Sequence, residues 1–204
     1  DGSAVTDEHV TEYAYDAFGR LIKRALPGDS LSTPTEAYTY TLGSPSSVTT
    51  EVRSVSGGDV DRVHVACVDG FGRTFQEKER RSSGDWMVTE HNVFTPQGYE
   101  RESFQAYHTD NSDCETVAPD GVLSTLTSYD VAGRPLAKSY PSNDGEALSV
   151  MSYGPLSTWI YDLNDNDSTN AAFETPTVRT SDGLGRPAGI GRTAIGGDVE
   201  WYTL

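Results

Sequence analysis

Apolar and aromatic side chains alternate with polar ones along most of this chain. The alternation is clearest over residues 37–42, 48–55, 86–94, 122–129 and 157–161. A period of two residues is typical of a β-strand whose two faces differ in burial. No stretch long enough for a helix repeats its apolar positions with a 3.6-residue period. The pattern therefore predicts an all-β chain of many short strands.

Clusters of Gly, Pro, Asp, Asn and Ser separate the alternating runs and predict turns. They lie at 27–29, 57–59, 82–85, 119–121, 143–145 and 196–198. Short strands joined by turns of this composition predict a succession of β-hairpins.

One turn motif, Asp-x-x-Gly-Arg, occurs four times, and its glycines are separated by 53, 61 and 52 residues. An Asp at the first corner of a turn accepts hydrogen bonds from the backbone after it, and a Gly three residues later can adopt a positive φ. We therefore predict structural turn roles for these residues and expect each arginine to pair with a carboxylate on a neighbouring strand. The repeats lie near 15–20, 68–73, 129–134 and 181–186, and their turn residues are Asp16, Gly19, Arg20, Asp69, Gly72, Arg73, Asp130, Gly133, Arg134, Asp182, Gly185 and Arg186. A degenerate relative of the motif lies at 94–99.

The composition is poor in large apolar side chains. Leu, Ile, Val and Phe supply 39 of the 204 residues, and the formal net charge is −16. This combination borders on that of disordered proteins. Eleven Tyr and three Trp favour a folded chain, because aromatic burial offsets the entropy lost on ordering. Two interpretations remain: an unfolded chain with unusual tyrosines, or a thin sheet with an aromatic face.

The acidity also restricts the partners. A charge of −16 repels phosphate backbones and anionic lipids, and no apolar run approaches the length of a membrane-spanning helix. We expect no nucleic-acid partner and no membrane insertion. The basic residues Lys78, Arg80 and Arg81 are interleaved with Glu77 and Glu79, a pattern that predicts a solvated face.

Candidate chemistry is sparse. No nucleophile motif, phosphate loop or dinucleotide fingerprint occurs, so we assign no catalytic residue and no cofactor. The histidines, which we expect on the surface or on strand faces, are His9, His64, His91 and His108. Two cysteines, Cys67 and Cys114, lack metal-ligand spacing and do not make a disulfide scaffold. Their oxidation state and the redox compartment stay open.

One oxygen-rich segment approximates a calcium loop. Asp162, Asn164 and Asn166 stand at alternate positions, as hard oxygen ligands for Ca²⁺ would. The expected turn glycine is replaced by Asp167, and Glu174 comes one position too late to be the bidentate ligand. We therefore prefer a polar connecting turn to a metal site.

The repeats resemble those of a known family. The Asp-x-x-Gly-Arg hairpins, two of them led by Tyr, look like the YD repeats of RHS proteins. The segment from Asp69 through Trp86 and the turn at Gln97 to Tyr107 resembles the middle region of the B component of bacterial insecticidal toxin complexes, the Tc toxins. The segment from Tyr161 to Arg186 does so too, and the resemblance covers nearly the whole chain.

The resemblance implies a container. In such proteins, repeated hairpins wind into a curved spiral sheet that walls a hollow shell around a toxin polypeptide. It implies a secreted, extracellular bacterial protein and a non-enzymatic wall segment. The implied partners are the remaining RHS repeats of the same protein, a C-component-like RHS core and the enclosed toxin polypeptide.

The residues leave two alternatives open. One is an extracellular recognition module that binds carbohydrate or protein through exposed Tyr and Trp, and the other is an acidic secreted hydrolase domain. In all three interpretations we take 1–204 as one repeat segment and expect it to be an excerpt of a larger protein. Unpaired edge strands are expected to make the segment prone to aggregation without its neighbours.

Overall fold

The fold is seen in a computed structural model that describes residues 10–82, 84–142, 145–194 and 198–203. The turns predicted at 82–85, 143–145 and 196–198 lie partly outside the described residues, and His9 lies wholly outside them. Every regular element within the described residues is a β-strand, which confirms the all-β prediction.

Sixteen strands follow one another in the parts of the chain that the structure describes. They are β1 (Glu12–Tyr15), β2 (Leu21–Ala25), β3 (Glu36–Thr41), β4 (Ser46–Val52), β5 (Arg62–Val68), β6 (Thr74–Arg80), β7 (Trp86–Phe94), β8 (Glu100–Phe104), β9 (Tyr107–Thr109), β10 (Ser124–Tyr129), β11 (Pro135–Ser142), β12 (Gly145–Tyr153), β13 (Ser157–Tyr161), β14 (Thr177–Ser181), β15 (Pro187–Thr193) and β16 (Val199–Thr203).

The strands pair almost entirely with their neighbours in sequence. The hydrogen-bonded order runs from β1 to β16 without a crossover, except that β9 leaves the path and pairs with β7. The pairing is antiparallel, as expected when short turns join consecutive strands. β1 and β16 form the two ends of this path.

The chain divides into two compact units. The first comprises residues 1–92 and 104–122, and the second comprises residues 93–103 and 123–204. Within the first unit, β1, β3 and β5 run in the same direction, so the turns that follow them lie at one edge of the sheet. By the same argument, the turns after β10, β12 and β14 share one edge of the second unit.

The core of the first unit lies on β5, β6 and β7. Val63, Val65 and Cys67 alternate on one face of β5, and the register places Gln76 opposite Cys67 and Lys78 opposite Val65. All five side chains are buried. Neighbouring buried apolar side chains come from Trp86, Val88 and Tyr107 on β7 and β9.

The second unit has a much thinner core. The buried apolar side chains among its described residues are Pro176, just before β14, and Val178, at the start of β14. In β13 every side chain is half-buried, whereas a strand with one dry face would alternate between buried and exposed positions. Both faces of β13 are therefore partly exposed, and such a strand needs few large aliphatic side chains.

Candidate functional site

The four repeated motifs form turns of one geometry. In the first, the Asp16 carboxylate accepts hydrogen bonds from the backbone amides of Phe18 and Arg20, both at 2.9 Å. The Gly19 amide donates to the Asp16 carbonyl, and the Asp16 amide donates to the Arg20 carbonyl. The backbone φ of Gly19 is +77°. The other glycines of the motif, Gly72, Gly133 and Gly185, have φ of +80°, +80° and +78°.

Each turn also causes a register shift in the sheet. The first strand of each repeat hairpin has an irregularity just before the motif, for example between Ala14 and Tyr15 and between Cys67 and Val68. This is the bulge expected beside a type I turn that ends on a positive-φ glycine. The sequence thus places the aspartates and glycines at turn corners, and the structure shows what each of them bonds.

The arginines differ from our expectation. They were predicted to pair with carboxylates on neighbouring strands, but each pairs with the aspartate of its own turn, four residues earlier. The Arg20 Nε donates to Asp16 Oδ2 at 2.6 Å, and the Arg186 Nε donates to Asp182 Oδ2 at 2.7 Å. Asp69 with Arg73 and Asp130 with Arg134 form the same pair. The carboxylate has two oxygens, so it can hold the turn amides with one and the guanidinium with the other.

Two of the turns carry an additional tyrosine that sequence reasoning missed. The Arg20 guanidinium lies 4.5 Å from the centroid of the Tyr40 ring, and the Tyr40 hydroxyl donates to the Leu21 carbonyl at 2.9 Å. In the second unit, Arg134 lies 4.4 Å from the Tyr153 ring centroid, and the Tyr153 hydroxyl donates to the Pro135 carbonyl. In both cases the tyrosine follows the arginine by about twenty residues, which is a signal that the sequence contains.

The turn tips expose apolar side chains. Phe18 and Phe71 are each 82% exposed, and Leu184 is 78% exposed. The motif's own charges are paired inside the turn, so these tips present apolar surface without a net charge nearby. The tips carry no arrangement of nucleophile and base, and we assign them no catalytic chemistry.

A fifth turn, the degenerate relative at 94–99, replaces the aspartate by threonine. The Thr95 hydroxyl accepts a hydrogen bond from the Tyr99 amide at 3.1 Å, and the Gly98 amide donates to the Thr95 carbonyl at 2.9 Å. Gly98 has φ of +94°. A hydroxyl can therefore take over part of the role of the carboxylate in closing this turn.

The hydrogen bonds of the turn lower the pKa of all four motif aspartates from the ordinary value of 3.8. For Asp182 the largest cause is the hydrogen bond from the Arg186 side chain. For Asp16 and Asp130 it is the hydrogen bond from the arginine backbone amide. For Asp69, burial raises the pKa, but the hydrogen bonds outweigh it.

These pKa shifts predict acid sensitivity of the turns. A carboxyl whose pKa is lower in the folded state stabilises the fold above its unfolded pKa, and this stabilisation is lost as pH falls through the folded value. We expect Arg186→Met to raise the pKa of Asp182 towards its ordinary value while Asp130 is unchanged. The chemical shifts of the side-chain carboxyl carbons, followed in an NMR pH titration, give both pKa values. Equal pKa changes in the two aspartates, or an unchanged pKa of Asp182, would contradict the pairing of Arg186 with Asp182.

The basic cluster around Lys78 is a solvated face only in part, because Lys78 itself is buried, contrary to the sequence-based prediction. Arg80, Arg81 and Glu79 are exposed, but Lys78 is 0% exposed. Its ammonium donates to the Asn111 carbonyl at 3.0 Å, to Glu115 Oε2 at 2.9 Å and to the Asp113 carbonyl. A buried ammonium is tolerated because all three of its donors have acceptors.

A second buried polar group adjoins Lys78. The Tyr107 hydroxyl lies 2.7 Å from His91 Nδ1 and accepts a hydrogen bond from Gln76 at 3.1 Å. Burial raises the pKa of Tyr107 to about 12. The Gln76 carbonyl oxygen accepts from the Glu115 amide at 2.9 Å. His91 thus lies on a strand face, as expected, but it belongs to a buried network.

The two cysteines, whose state the sequence left open, form a disulfide. Cys67 on β5 joins Cys114 in the loop after β9, with their Cα atoms 5.7 Å apart. Beside this bond, an open cavity of about 460 Å³ is lined by Thr49, Val65, Trp86 and Ser112 among others.

The candidate calcium segment uses its oxygens in its own hydrogen bonds. Asp162 Oδ1 accepts from the backbone amides of Asn164 and Asp165. The Asn166 side-chain amide donates to the carbonyls of Leu148, Tyr161 and Asp162. Asp165, which the sequence analysis did not single out, is buried, and its carboxylate accepts from the Asp162 amide and the Thr175 hydroxyl. These contacts make a structured connecting turn.

The two other described histidines each lie beside a carboxylate. His64 Nε2 lies 3.5 Å from Glu77, and His108 Nδ1 lies 2.8 Å from Asp85. Within the described parts of the chain, no group of three or more His, Cys, Asp or Glu side chains is placed to hold a metal ion. None of the described residues forms a helix long and apolar enough to cross a membrane.

No protein-family model and no curated protein matches this sequence. Solved structures do match its fold. Over 94% of the chain, it resembles a chain of the TcdB2-TccC3 crystal structure with a TM-score of 0.69 and 18% identity, and a chain of TcdB2-TccC3-TEV with a TM-score of 0.74 and 16% identity. Over 76% of its length, it resembles a chain of the Photorhabdus luminescens Tc holotoxin pore with a TM-score of 0.62 and 20% identity.

The chain spans only a small part of these structures. It covers 12%, 15% and 9% of the three chains, respectively. At 16 to 20% identity, the likeness shows a shared fold. The all-β hairpin architecture is therefore one that also occurs in chains of Tc toxin complexes.

Proposed function

We propose that this chain is a non-catalytic wall segment of an RHS-type shell, which encloses a toxin polypeptide for delivery. The observation that carries the proposal is the likeness to chains of Tc toxin complexes along 94% of the sequence. The Asp-x-x-Gly-Arg turns support it, because they make the hairpins of both units alike.

The thin core supports the same proposal. In the second unit β13 is partly exposed on both faces, and Pro176 and Val178 are the buried apolar side chains of the described residues. A catalytic domain needs a cleft held rigid by a packed core. A wall needs only a continuous sheet with satisfied backbone hydrogen bonds, which consecutive hairpins supply.

The proposal extends to location and partners. The segment works in a secreted bacterial toxin complex, where it joins further RHS repeats and a C-component-like core, and its cargo is a toxin polypeptide. The Cys67–Cys114 disulfide supports an oxidising location, since disulfides persist outside the reducing cytosol.

The test compares the two faces of one strand. Ser157 and Thr158 are adjacent on β13 and therefore point to opposite faces of the sheet, and both are half-buried. We would place Ser157→Cys and Thr158→Cys singly in the protein that carries this segment with its flanking sequence, and label each with a maleimide attached to a large polymer. A wall excludes the polymer from its enclosed face, so one of the two cysteines reacts and the other is protected.

The controls make the result decisive. Both variants replace a small hydroxyl side chain on one strand, and Cys67 and Cys114 are bonded to each other and do not react. After denaturation both introduced cysteines must label equally. Equal labelling of both positions in the native protein, or electron microscopy showing a solid particle without a lumen, would refute the proposal.

The exposed aromatic side chains favour a recognition module as the second candidate. Tyr13, Tyr15 and Trp201 are all exposed, and exposed aromatic side chains are enriched at binding surfaces. In this case both β13 positions would label, and Tyr15→Ser would reduce saturable binding on a glycan array or in a protein pull-down. A wall segment gives no saturable binding in either assay.

A further inference from the structure

The segment that follows β9 crosses the buried face of the first unit. It comprises residues 110–116, and we call it the strap. It starts beside β7, where Thr109 is paired with Trp86, and reaches β5 at the Cys67–Cys114 disulfide. Lys78 lies on β6, between these two anchor points.

Polar contacts and one covalent bond hold the strap. The Lys78 ammonium binds the carbonyls of Asn111 and Asp113 and the carboxylate of Glu115. The Glu115 amide donates to the Gln76 side chain at 2.9 Å. On β6, Gln76 and Lys78 make these polar contacts with the strap.

Apolar burial contributes little to holding the strap. Asn111, Ser112 and Asp113 are exposed, and Val117, just beyond the strap, is 78% exposed. Segments with few buried apolar contacts and exposed backbone open at low free energy. Water competes for the polar contacts of the strap, but it does not compete with the Cys67–Cys114 disulfide, which therefore opposes opening.

The burial of Lys78 offsets much of what its contacts contribute to the closed strap. Lys78 is 0% exposed, and an ammonium removed from water loses hydration that its acceptors only partly replace. When the strap opens, water again solvates Lys78, Glu115 and the carbonyls of Asn111 and Asp113. The closed state therefore depends on the tether that keeps the strap in place.

We infer that residues 110–116 form a redox-sensitive strap that covers Lys78 while the Cys67–Cys114 disulfide is intact and uncovers it when a thiol reduces that bond. Cys114 is half-buried whereas Cys67 is 0% exposed, so the attacking thiolate reaches Cys114. A mixed disulfide forms at Cys114 and Cys67 leaves as a thiolate. A second thiol then releases Cys114, so that two thiols become one disulfide and the protein gains two protons and two electrons.

The consequence is a switchable cationic surface. In the oxidised protein the strap covers the Lys78 ammonium, so solvent does not reach it. In the reduced protein it lies exposed on the sheet beside Gln76, on an otherwise acidic chain. The inference concerns this loop alone and holds whether or not the chain is part of a shell.

Amine labelling tests the inference directly, because the chain has only three lysines. Lys23 and Lys138 are half-buried and serve as internal references. We would treat the full chain with an acetylating ester before and after reduction by dithiothreitol, and quantify each lysine by mass spectrometry. Reduction is expected to raise the labelling rate of Lys78 at least about tenfold and to leave Lys23 and Lys138 unchanged.

Two variants sharpen the test. Cys67→Ala/Cys114→Ala should give fast Lys78 labelling with or without reductant. Glu115→Gln keeps the disulfide but weakens the contact between Lys78 and the strap. In this variant Lys78 should remain protected until the disulfide is reduced, and should then label faster than in the reduced wild type. Hydrogen exchange of the β4 and β5 amides reports whether the sheet survives reduction. The inference is overturned if Lys78 stays protected after reduction, or if β4 and β5 lose protection together with the strap.

Discussion

Replacing Lys78 by methionine is expected to lower the free energy of unfolding by about 3 kcal/mol, the lower end of the cost of breaking a buried ion pair. The substitution keeps the side-chain length but removes the ammonium. Glu115 and the carbonyls of Asn111 and Asp113 then lose their common donor. Glu115 is 19% exposed, so water partly solvates its unpaired carboxylate. The loss of stability therefore stays below the upper end of the cost of breaking a buried ion pair.

Urea unfolding of the oxidised protein measures this effect. Arg81→Met is the matched control, because Arg81 is an exposed base close to Lys78 in sequence, and it should change stability by no more than about 0.5 kcal/mol. Adding Glu115→Gln to Lys78→Met should restore part of the loss, because it removes the unpaired carboxylate. A Lys78→Met protein as stable as the wild type would show that the ammonium contributes nothing to the closed strap.

Gly133→Val is expected to be more destabilising than Gly185→Val, although both glycines occupy the same place in the repeat. Both have positive φ, where a β-branched residue is strained by about 1 to 3 kcal/mol. Around Gly185 a new Cβ atom meets open space, whereas at Gly133 it would overlap the Tyr99 ring and hydroxyl. Tyr99 stacks on Tyr129 with the ring centroids 5.0 Å apart, so moving it costs about 1 kcal/mol more.

Thermal or urea unfolding of the two variants gives the difference. In a Tyr99→Ala background the extra cost of Gly133→Val should disappear, leaving the two glycine sites equivalent. Equal destabilisation of both sites in the wild-type background would indicate that Tyr99 moves aside freely. No destabilisation at either site would contradict the positive-φ turn itself.

The sequence predicted the strands and turns well, because each depends on a local signal. The alternation at 86–94 and 157–161 coincides with β7 and β13, and the repeated Asp and Gly lie at turn corners. Each of these signals lies within a few consecutive residues, so contacts with distant parts of the chain did not change the strands and turns that they predict. The arginine partners were predicted wrongly because the sequence does not show that the aspartate keeps a second oxygen free.

Lys78 was also predicted wrongly, although the sequence holds a relevant signal. Charge alternates with the strand period there, so Lys78 shares a face with Gln76 and not with Glu77 or Glu79. Its burial, however, requires the strap, which comes 33 or more residues later in sequence. The disulfide was unpredictable for the same reason, since nothing near Cys114 indicates which strand the loop will cross.

The neighbour-to-neighbour strand order has a consequence for how this chain is made. Each hairpin can close as soon as its second strand leaves the ribosome, because its partner has only just been synthesised. Sheets of this order have short contact distances along the chain, which favours fast folding compared with other all-β proteins. The Cys67–Cys114 bond is of longer range and spans 47 residues. It cannot form until nine strands have emerged, so oxidation completes a fold that hairpin closure has already built.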